Sequence, residues 1–345
     1  MKSKIQLAHD PKKVVRRLLS VLPERSKEVL TLRFGLGKTT KQSTLESIGQ
    51  EYGITRERVR QIENHSLDAI RKSDQMKTEE VVFLELQGVI KDMGSIVAEN
   101  DLLDAIGSTA SIQNHAHFLL ILGEFFVQAK ETSDFKARWN VDPSVASSIE
   151  EALQSLYKAI PGDEILSESD LIDRFLENLQ DLNEEYKNEE VLKRWLSMFK
   201  NLDKNPLGEW GRISSSAIRA KGIRDFAYLA MKRHGSPMHF SEVATAISDL
   251  FDRQAHVATC HNELIKDSRF VLVGRGLYAL KEWGYKTGVV RDVLKELIER
   301  EGPLTREEII DRVKKERYVK DNTILVNLND RKIFKRESDG RYSLV

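Results

Sequence analysis

Apolar residues recur at helical spacing along most of the chain, broken only by short stretches that alternate, so the pattern predicts many short helices and a few brief strands. In "KKVVRRLLSVL", residues 12 to 22, Val14, Val15, Leu18, Leu19 and Leu22 share one face, with basic residues between them. Pro23 and Glu24 open a second helix, "ERSKEVLTLRFG". Its apolar residues are Val29, Leu30, Leu32 and Phe34, and Gly35 and Gly37 are stop signals. A polar loop, "GKTTKQS", follows.

From Leu45, "LESIGQEYGITRERVRQIEN" fits a helix-turn-helix template. Gly49 is the small residue where two helices cross closely, and Gly53 sits at the turn, where a positive φ is wanted. Ile48, Tyr52, Ile54, Val59 and Ile62 fall at the buried positions. Thr44 and Thr55 each suit the cap of the following helix, and a helix N-terminus binds phosphate readily.

On a wheel of about 100° per residue with Val59 at zero, Ile62, Ser66 and Ile70 lie within about 60°. Glu57, Gln61 and Asn64 lie at roughly 140° to 200°, away from the core. Arg60 borders that polar face on one side, with Arg56 beyond it; Arg58 and His65 flank the other. Such a face suits a major groove, with hydrogen-bonding groups toward base edges and cations toward the phosphate walls. The competing reading is a solvated helix face with ordinary charge pairs.

The stretch "LPERSKEVLTLRFGLG…TLESIGQEYGITRERVRQIENHSLDAIRK", Leu22 to Lys72, closely resembles region 4 of the sigma-70 family of bacterial RNA polymerase sigma factors. The resemblance implies binding to the −35 promoter element and docking on the β-subunit flap of RNA polymerase. It implies that Arg56, Glu57 and Gln61 approach bases, while Arg25, Arg33, Thr44, Leu45, Arg58 and Arg60 touch backbone or bordering groups. His65 stands where the family often has Lys. Together with the wheel, the expected DNA-binding set is Arg25, Arg33, Thr44, Leu45, Thr55, Arg56, Glu57, Arg58, Arg60, Gln61, Asn64 and His65. The eleven residues before Lys12 are too few for the region 2 helices that melt the −10 element, so a complete sigma factor is not expected.

After Lys72 a pattern repeats, with an apolar residue, an acid four positions later and then apolar positions at helical spacing. It occurs as Val97, Asp101, Leu102, Leu103 and Ile106; as Leu166, Asp170, Leu171, Ile172 and Phe175; as Met238, Glu242, Val243, Ala244 and Ile247; and as Leu304, Glu308, Ile309, Ile310 and Val313. The acid falls in the first turn of a helix, where the dipole favours it. Phe270 to Tyr278 and Phe334 to Tyr342 span equal lengths across glycine turns and predict hairpins after the helices. Longer candidate hairpins lie in "FFVQAKETSDFKARW" and "FKNLDKNPLGEWGRI". This is a winged-helix plan. "RDFAYLAMKRHGSPMHFSEVATAI" and "SRFVLVGRGLYAL" resemble the HARE-HTH domain, a family that includes the N-terminal domain of the RNA polymerase delta subunit.

Charge changes the picture by its distribution. The 54 basic and 54 acidic residues cancel over 345 positions. Residues 1–72, however, hold 16 Lys or Arg against 8 Asp or Glu (net +8), residues 73–222 hold 15 against 27 (net −12), and residues 223–345 hold 23 against 19 (net +4). A nucleic-acid face at the basic end and protein docking by the acidic units are expected. The last unit, with Lys314, Lys315, Arg317, Lys320, Arg331, Lys332, Lys335 and Arg336, offers a nonspecific duplex contact. Cys260 is the single cysteine, and neither the "QNHAHFLL" histidines, His115 and His117, nor "GLGKTT" has metal or P-loop spacing.

The expectation is a mainly α, non-enzymatic, cytoplasmic and nucleoid-associated protein without cofactor, metal or membrane segment. A helix-turn-helix domain (1–74) precedes tandem winged-helix-like domains with small β-hairpin wings (75–142, 143–221, 222–285 and 286–345). It would bind double-stranded DNA and bacterial RNA polymerase. Two alternatives stay open, a polymerase- or sigma-docking protein with little DNA affinity and a DNA-associated accessory of a restriction or defence system.

Overall fold

The first three helices carry the predicted apolar faces, and the third carries the predicted Thr44 cap. In the computed structural model, which describes residues 5–179, 186–285, 290–316 and 319–345, α1 (Pro11–Leu19) is capped by Asp10 and buries Val14, Val15, Leu18 and Leu19. Helix α2 (Glu24–Phe34) ends at Gly35 with φ 63°, and α3 (Leu45–Tyr52) ends at Gly53 with φ 62°. Helix α4 (Arg56–Arg71) completes the helix-turn-helix, and the short α5 (Asp74–Thr78) follows it.

One order of elements then recurs. The first instance is α6 (Glu80–Asp92), β1 (Ile96–Ala98), α7 (Glu99–Ile106), α8 (Ala110–Leu122), β2 (Val127–Ala129) and β3 (Arg138–Asn140), with the sheet ordered β1-β3-β2 and antiparallel. The second is α9 (Pro143–Ala159), α10 (Glu168–Glu177), α11 (Glu189–Met198) and the two-stranded β4 (Leu202–Lys204) and β5 (Trp210–Arg212). The third runs α12 (Ile223–His234), β6 (Met238–His239), α13 (Phe240–Phe251), α14 (Val257–Lys266), β7 (Phe270–Gly274) and β8 (Leu277–Leu280). The fourth runs α15 (Val290–Glu301), α16 (Arg306–Glu316), α17 (Asp321–Leu328), β9 (Phe334–Arg336) and β10 (Tyr342–Leu344). The protein is therefore mainly helical, with small antiparallel hairpins in winged-helix order. Two of these hairpins share a register, because Tyr278 pairs with Leu272 and Tyr342 with Arg336, in each case two residues beyond the Phe that opens the hairpin.

In the last three repeats the recurring acid has a local cause, whereas Asp101 of the first accepts from the Ser197 hydroxyl at 3.3 Å. Glu242 accepts from the His239 N–H at 2.8 Å, and Glu308 accepts from the Thr305 N–H at 2.8 Å. Asp170 accepts from the Ser167 hydroxyl at 2.7 Å. Each of these three acids thus reaches back to the residue three positions earlier at its helix start, as in a capping box.

By contact density the chain divides into two units, Met1–Pro161 with Leu166–Asp203, and Gly162–Ile165 with Lys204–Val345; the division runs through the second hairpin. In the first unit, one core joins Val14, Leu18, Leu30, Phe34 and Ile70 of the helix-turn-helix segment to Phe83, Leu86, Phe118, Leu119 and Trp139. Phe34 and Phe118 meet edge to face at 5.0 Å. Arg17 donates to Glu79 at 2.8 Å, and Glu79, 5 % exposed, is held below the usual carboxylate range chiefly by that hydrogen bond. Arg71, the last residue of α4, donates to the carbonyls of Ile121 and Leu122 at 2.7 and 3.2 Å and so satisfies the C-terminus of α8. The second unit has separate cores around α12–α14 and around α15–α17. Arg317, counted above among the cations of the last unit, lies outside the described residues.

Candidate nucleic-acid interface

Helices α3 and α4 are set by two glycines. A Cβ on Gly49 would stand 2.7 Å from the Ile54 carbonyl oxygen, so only glycine lets the turn pass this close. The Ile54 N–H donates to the Gly49 carbonyl at 2.9 Å, which closes the turn. The Thr44 hydroxyl accepts from the Ser47 N–H at 3.1 Å and the Thr55 hydroxyl from the Arg58 N–H at 3.2 Å, so both threonines cap as expected. Val29, Ile48 and Val59 form a small core of their own, with Leu32, Leu45, Tyr52, Ile54 and Ile62 packed around it.

Burial of Val59, Ser66, Leu67 and Ile70 turns the opposite face of α4 to solvent. Arg56, Glu57, Arg58, Arg60, Gln61, Asn64 and His65 are all exposed on it. Several of them engage one another. Arg60 clasps Glu57 through two hydrogen bonds of 2.7 and 2.9 Å, and Arg58 donates to Gln61 Oε1 at 3.1 Å. The Arg60 guanidinium holds the Glu57 carboxyl below its usual range, so Glu57 is a carboxylate at neutral pH and an acceptor only. These pairs are solvent-exposed and therefore weak, and they open readily for a stronger partner.

The remaining expected residues have mixed placements. Arg25 is exposed, its guanidinium 5.9 Å from the Tyr52 ring centre. The Tyr52 hydroxyl donates to Glu28 at 2.9 Å, and burial followed by that bond pushes its pKa up to about 12. Arg33 faces inward, with Nε 3.4 Å from Glu63 and Nη1 3.3 Å from the Ser43 carbonyl. Leu45 is half-buried in the small core. The loop before α3, which carries the exposed Lys38 and Lys41, is fixed by Asn114, whose amide donates to the Gly35 and Thr40 carbonyls at 3.0 and 2.8 Å. No local pattern in the sequence marks Asn114 for this role, because it lies in a different helix far along the chain.

The third helices of the four winged-helix repeats are not equivalent. Helix α8 buries His115, Ala116, Phe118, Leu119, Leu120 and Leu122. In α11, Trp195 is fully buried and its indole N–H donates to the Gly94 carbonyl at 3.1 Å, while Arg194 donates to the Met93 carbonyl at 3.0 Å. Both helices bury apolar side chains within the first unit. His115 Nδ1 donates to the Ser111 carbonyl at 2.6 Å, and His117 Nε2 lies 3.6 Å from Glu99, too far for a hydrogen bond. Burial lowers the pKa of both rings. No group of three metal-ligating side chains occurs among the described residues, and no helix there is long and apolar enough to cross a membrane.

Residues 18–72 match the family model for sigma-70, region 4. Over 65 residues the chain is 43% identical to the RNA polymerase sigma factor RpoD of Helicobacter pylori, covering 19% of this chain and 10% of that protein. It is 46% identical over 75 residues to the sigma factor RpoS of Coxiella burnetii, covering 22% and 18%. It is 47% identical over 62 residues to the sigma factor SigA of a Bacillus species, covering 17% and 16%. The likeness thus spans less than a fifth of each of these relatives. It falls on α2 through α4, the segment that holds the helix-turn-helix.

Proposed function

We propose that residues 55–65 read a −35-like promoter element in duplex DNA, and that the chain associates with bacterial RNA polymerase, through the β flap, to regulate transcription initiation. The observation that carries this reading is the solvent face of α4, where Arg56, Glu57, Arg58, Arg60, Gln61, Asn64 and His65 all stand exposed behind a complete turn. Arg56, Glu57 and Gln61 approach base edges. Arg58, Arg60 and His65 border them toward phosphate, and Arg25 and the N-termini capped by Thr44 and Thr55 contact the backbone. Gln suits adenine N6/N7, Arg suits guanine O6/N7 and Glu accepts from cytosine N4. Arg33, held by Glu63, and Leu45 support the domain from within. The segments 75–142, 143–221, 222–285 and 286–345 serve as winged-helix modules. The third is a HARE-HTH-like accessory module, and the first two are protein-facing.

The test is a fluorescence-anisotropy titration of the full chain on a −35-like duplex across salt concentrations. Each well-placed bidentate contact discriminates by about 1–3 kcal/mol. Combined replacement Arg56→Ala and Gln61→Ala should therefore weaken binding on the order of 10- to 100-fold or more, and affinity should fall steeply with salt. No binding at low salt, or binding indifferent to both substitutions, defeats the proposal. Retention of core RNA polymerase on the immobilised chain tests the second half independently.

A further inference from the structure

Four helices occupy the same place in the four winged-helix repeats, and their free surfaces differ in chemistry. Helix α8 is buried against the helix-turn-helix segment, and α11 exposes Glu189 and Glu190 at its start, groups that repel phosphate. Helix α14 exposes Thr259, Asn262 and Lys266, but Val257 and Ile265 are exposed beside them and Leu272 of the adjoining hairpin is also exposed, so apolar groups interrupt its polar surface. Helix α17 presents a stripe of uncharged hydrogen-bonding groups flanked by cations, several of them without a carboxylate partner among the described residues. Ile324 and Leu328 are buried, and Asn322, Val326 and Asn329, spaced four and three residues apart, lie together on the solvent side. Val326 is 68% exposed, too much for a side chain with a packing role.

Cations flank this stripe along the chain, with Asp321 and Asp330 among them. Lys320 precedes α17, Arg331 and Lys332 follow it, and Lys335, Arg336 and Arg341 lie on the hairpin; all six are exposed. Three cations next to or on these elements have carboxylate partners, Lys314 with Asp321, Lys335 with Glu337 and Arg341 with Asp339. Among the described residues no carboxylate pairs with Lys320, Arg331, Lys332 or Arg336. A groove beside the start of α17 is lined by Arg275, Leu277, Lys314, Val319, Lys320 and Asp321, and it brings a further exposed cation from the preceding hairpin.

The geometry points to α17 and its hairpin as a second duplex-DNA site, with Asn322, Val326 and Asn329 toward base edges and Lys320, Arg331, Lys332 and Arg336 toward phosphate. Asn can bond the N6/N7 edge of adenine, and the Val326 methyls suit the methyl group of thymine, so the stripe favours A·T pairs. The site is independent of α4 and stands whether or not α4 reads DNA.

The experiment uses the full chain and a 30-bp duplex without a −35-like element, with binding followed across salt. The variant Arg56→Ala/Arg58→Ala/Gln61→Ala should still bind this duplex. Lys332→Ala/Arg336→Ala should weaken binding by about tenfold and lower the salt slope by about two, since each phosphate contact contributes about 0.9. Combining both sets should reduce binding below either alone. Because Val326 is exposed, Val326→Glu tests the stripe without touching the core, and it should abolish the residual binding of the α4 variant. The inference is overturned if Lys332→Ala/Arg336→Ala and Val326→Glu match their parents in both affinity and salt slope. A failure of the α4 substitutions alone would count against the α4 reading and leave this one standing.

Discussion

Phe118→Ala probes whether the helix-turn-helix segment and the first winged-helix repeat share a core. Phe118 is fully buried on α8, its ring 5.0 Å from Phe34 at the end of α2, and the same core contains Val14 and Leu18 of α1. Truncating a buried Phe costs about 3–5 kcal/mol from lost transfer energy and the cavity left behind. Part of that is an aromatic pair worth about 0.5–1.5 kcal/mol. Since about 1.4 kcal/mol is a factor of ten, the opening equilibrium of this core should rise on the order of 100- to 1000-fold or more. Amide hydrogen exchange resolved by segment is the right assay, because a protein of several units has no single unfolding transition. Protection should fall by that factor in α1 and α8 and stay unchanged in α12–α14, whose core is separate. The small core of Val29, Ile48 and Val59 should keep more of its protection. If α1 exchanges as in the parent while α8 loosens, the two segments do not share a core and the account of their packing is wrong.

The packing of α11 rests on Gly94, where φ is 107° and an added Cβ would stand 2.6 Å from Val191 and 2.7 Å from Trp195. Gly94→Ala should cost about 2–4 kcal/mol from overpacking and left-handed strain, visible as faster exchange in α11, and normal exchange there would refute the contact. The two histidines of α8 give a pH dependence of definite sign. Burial lowers both pKa values in the folded state, whereas the unfolded chain takes up protons near the ordinary value of about 6.5. The stabilisation is therefore complete above about pH 6.5 and is lost as pH falls through the lowered folded values. Exchange in α8 should accelerate on acidification over that window, after correction for intrinsic rates, and His115→Gln should flatten the trend; a pH-independent protection would contradict it.

Local chemistry made much of this legible. Thr44, Thr55, Gly49 and Gly53 act within a turn of where they stand, so their caps and close approach can be read from neighbours in sequence. The same holds for the recurring acids, Glu242 and Glu308, which serve the start of their own helices. Long-range partners were not legible. Helix α8 is apolar over much of its circumference, which announces burial but not the surface that buries it. Arg33 reads in sequence as a residue at the DNA backbone, yet Glu63, thirty residues later on α4, lies 3.4 Å from its Nε and draws it inward. The opposite faces of α4 show both cases at once. Its solvent face follows from periodicity, while the role of Arg71 in closing α8 depends on a partner some fifty residues later.

The central claim is that α4 reads base identity, and selection of preferred duplexes from a random pool tests it most directly. The full chain should enrich one short motif, and Gln61→Ala and Arg56→Ala should each relax the preference at one or two adjacent positions and leave the rest of the motif intact. If no motif is enriched, or if both variants select the same motif as the parent with equal stringency, α4 does not read DNA.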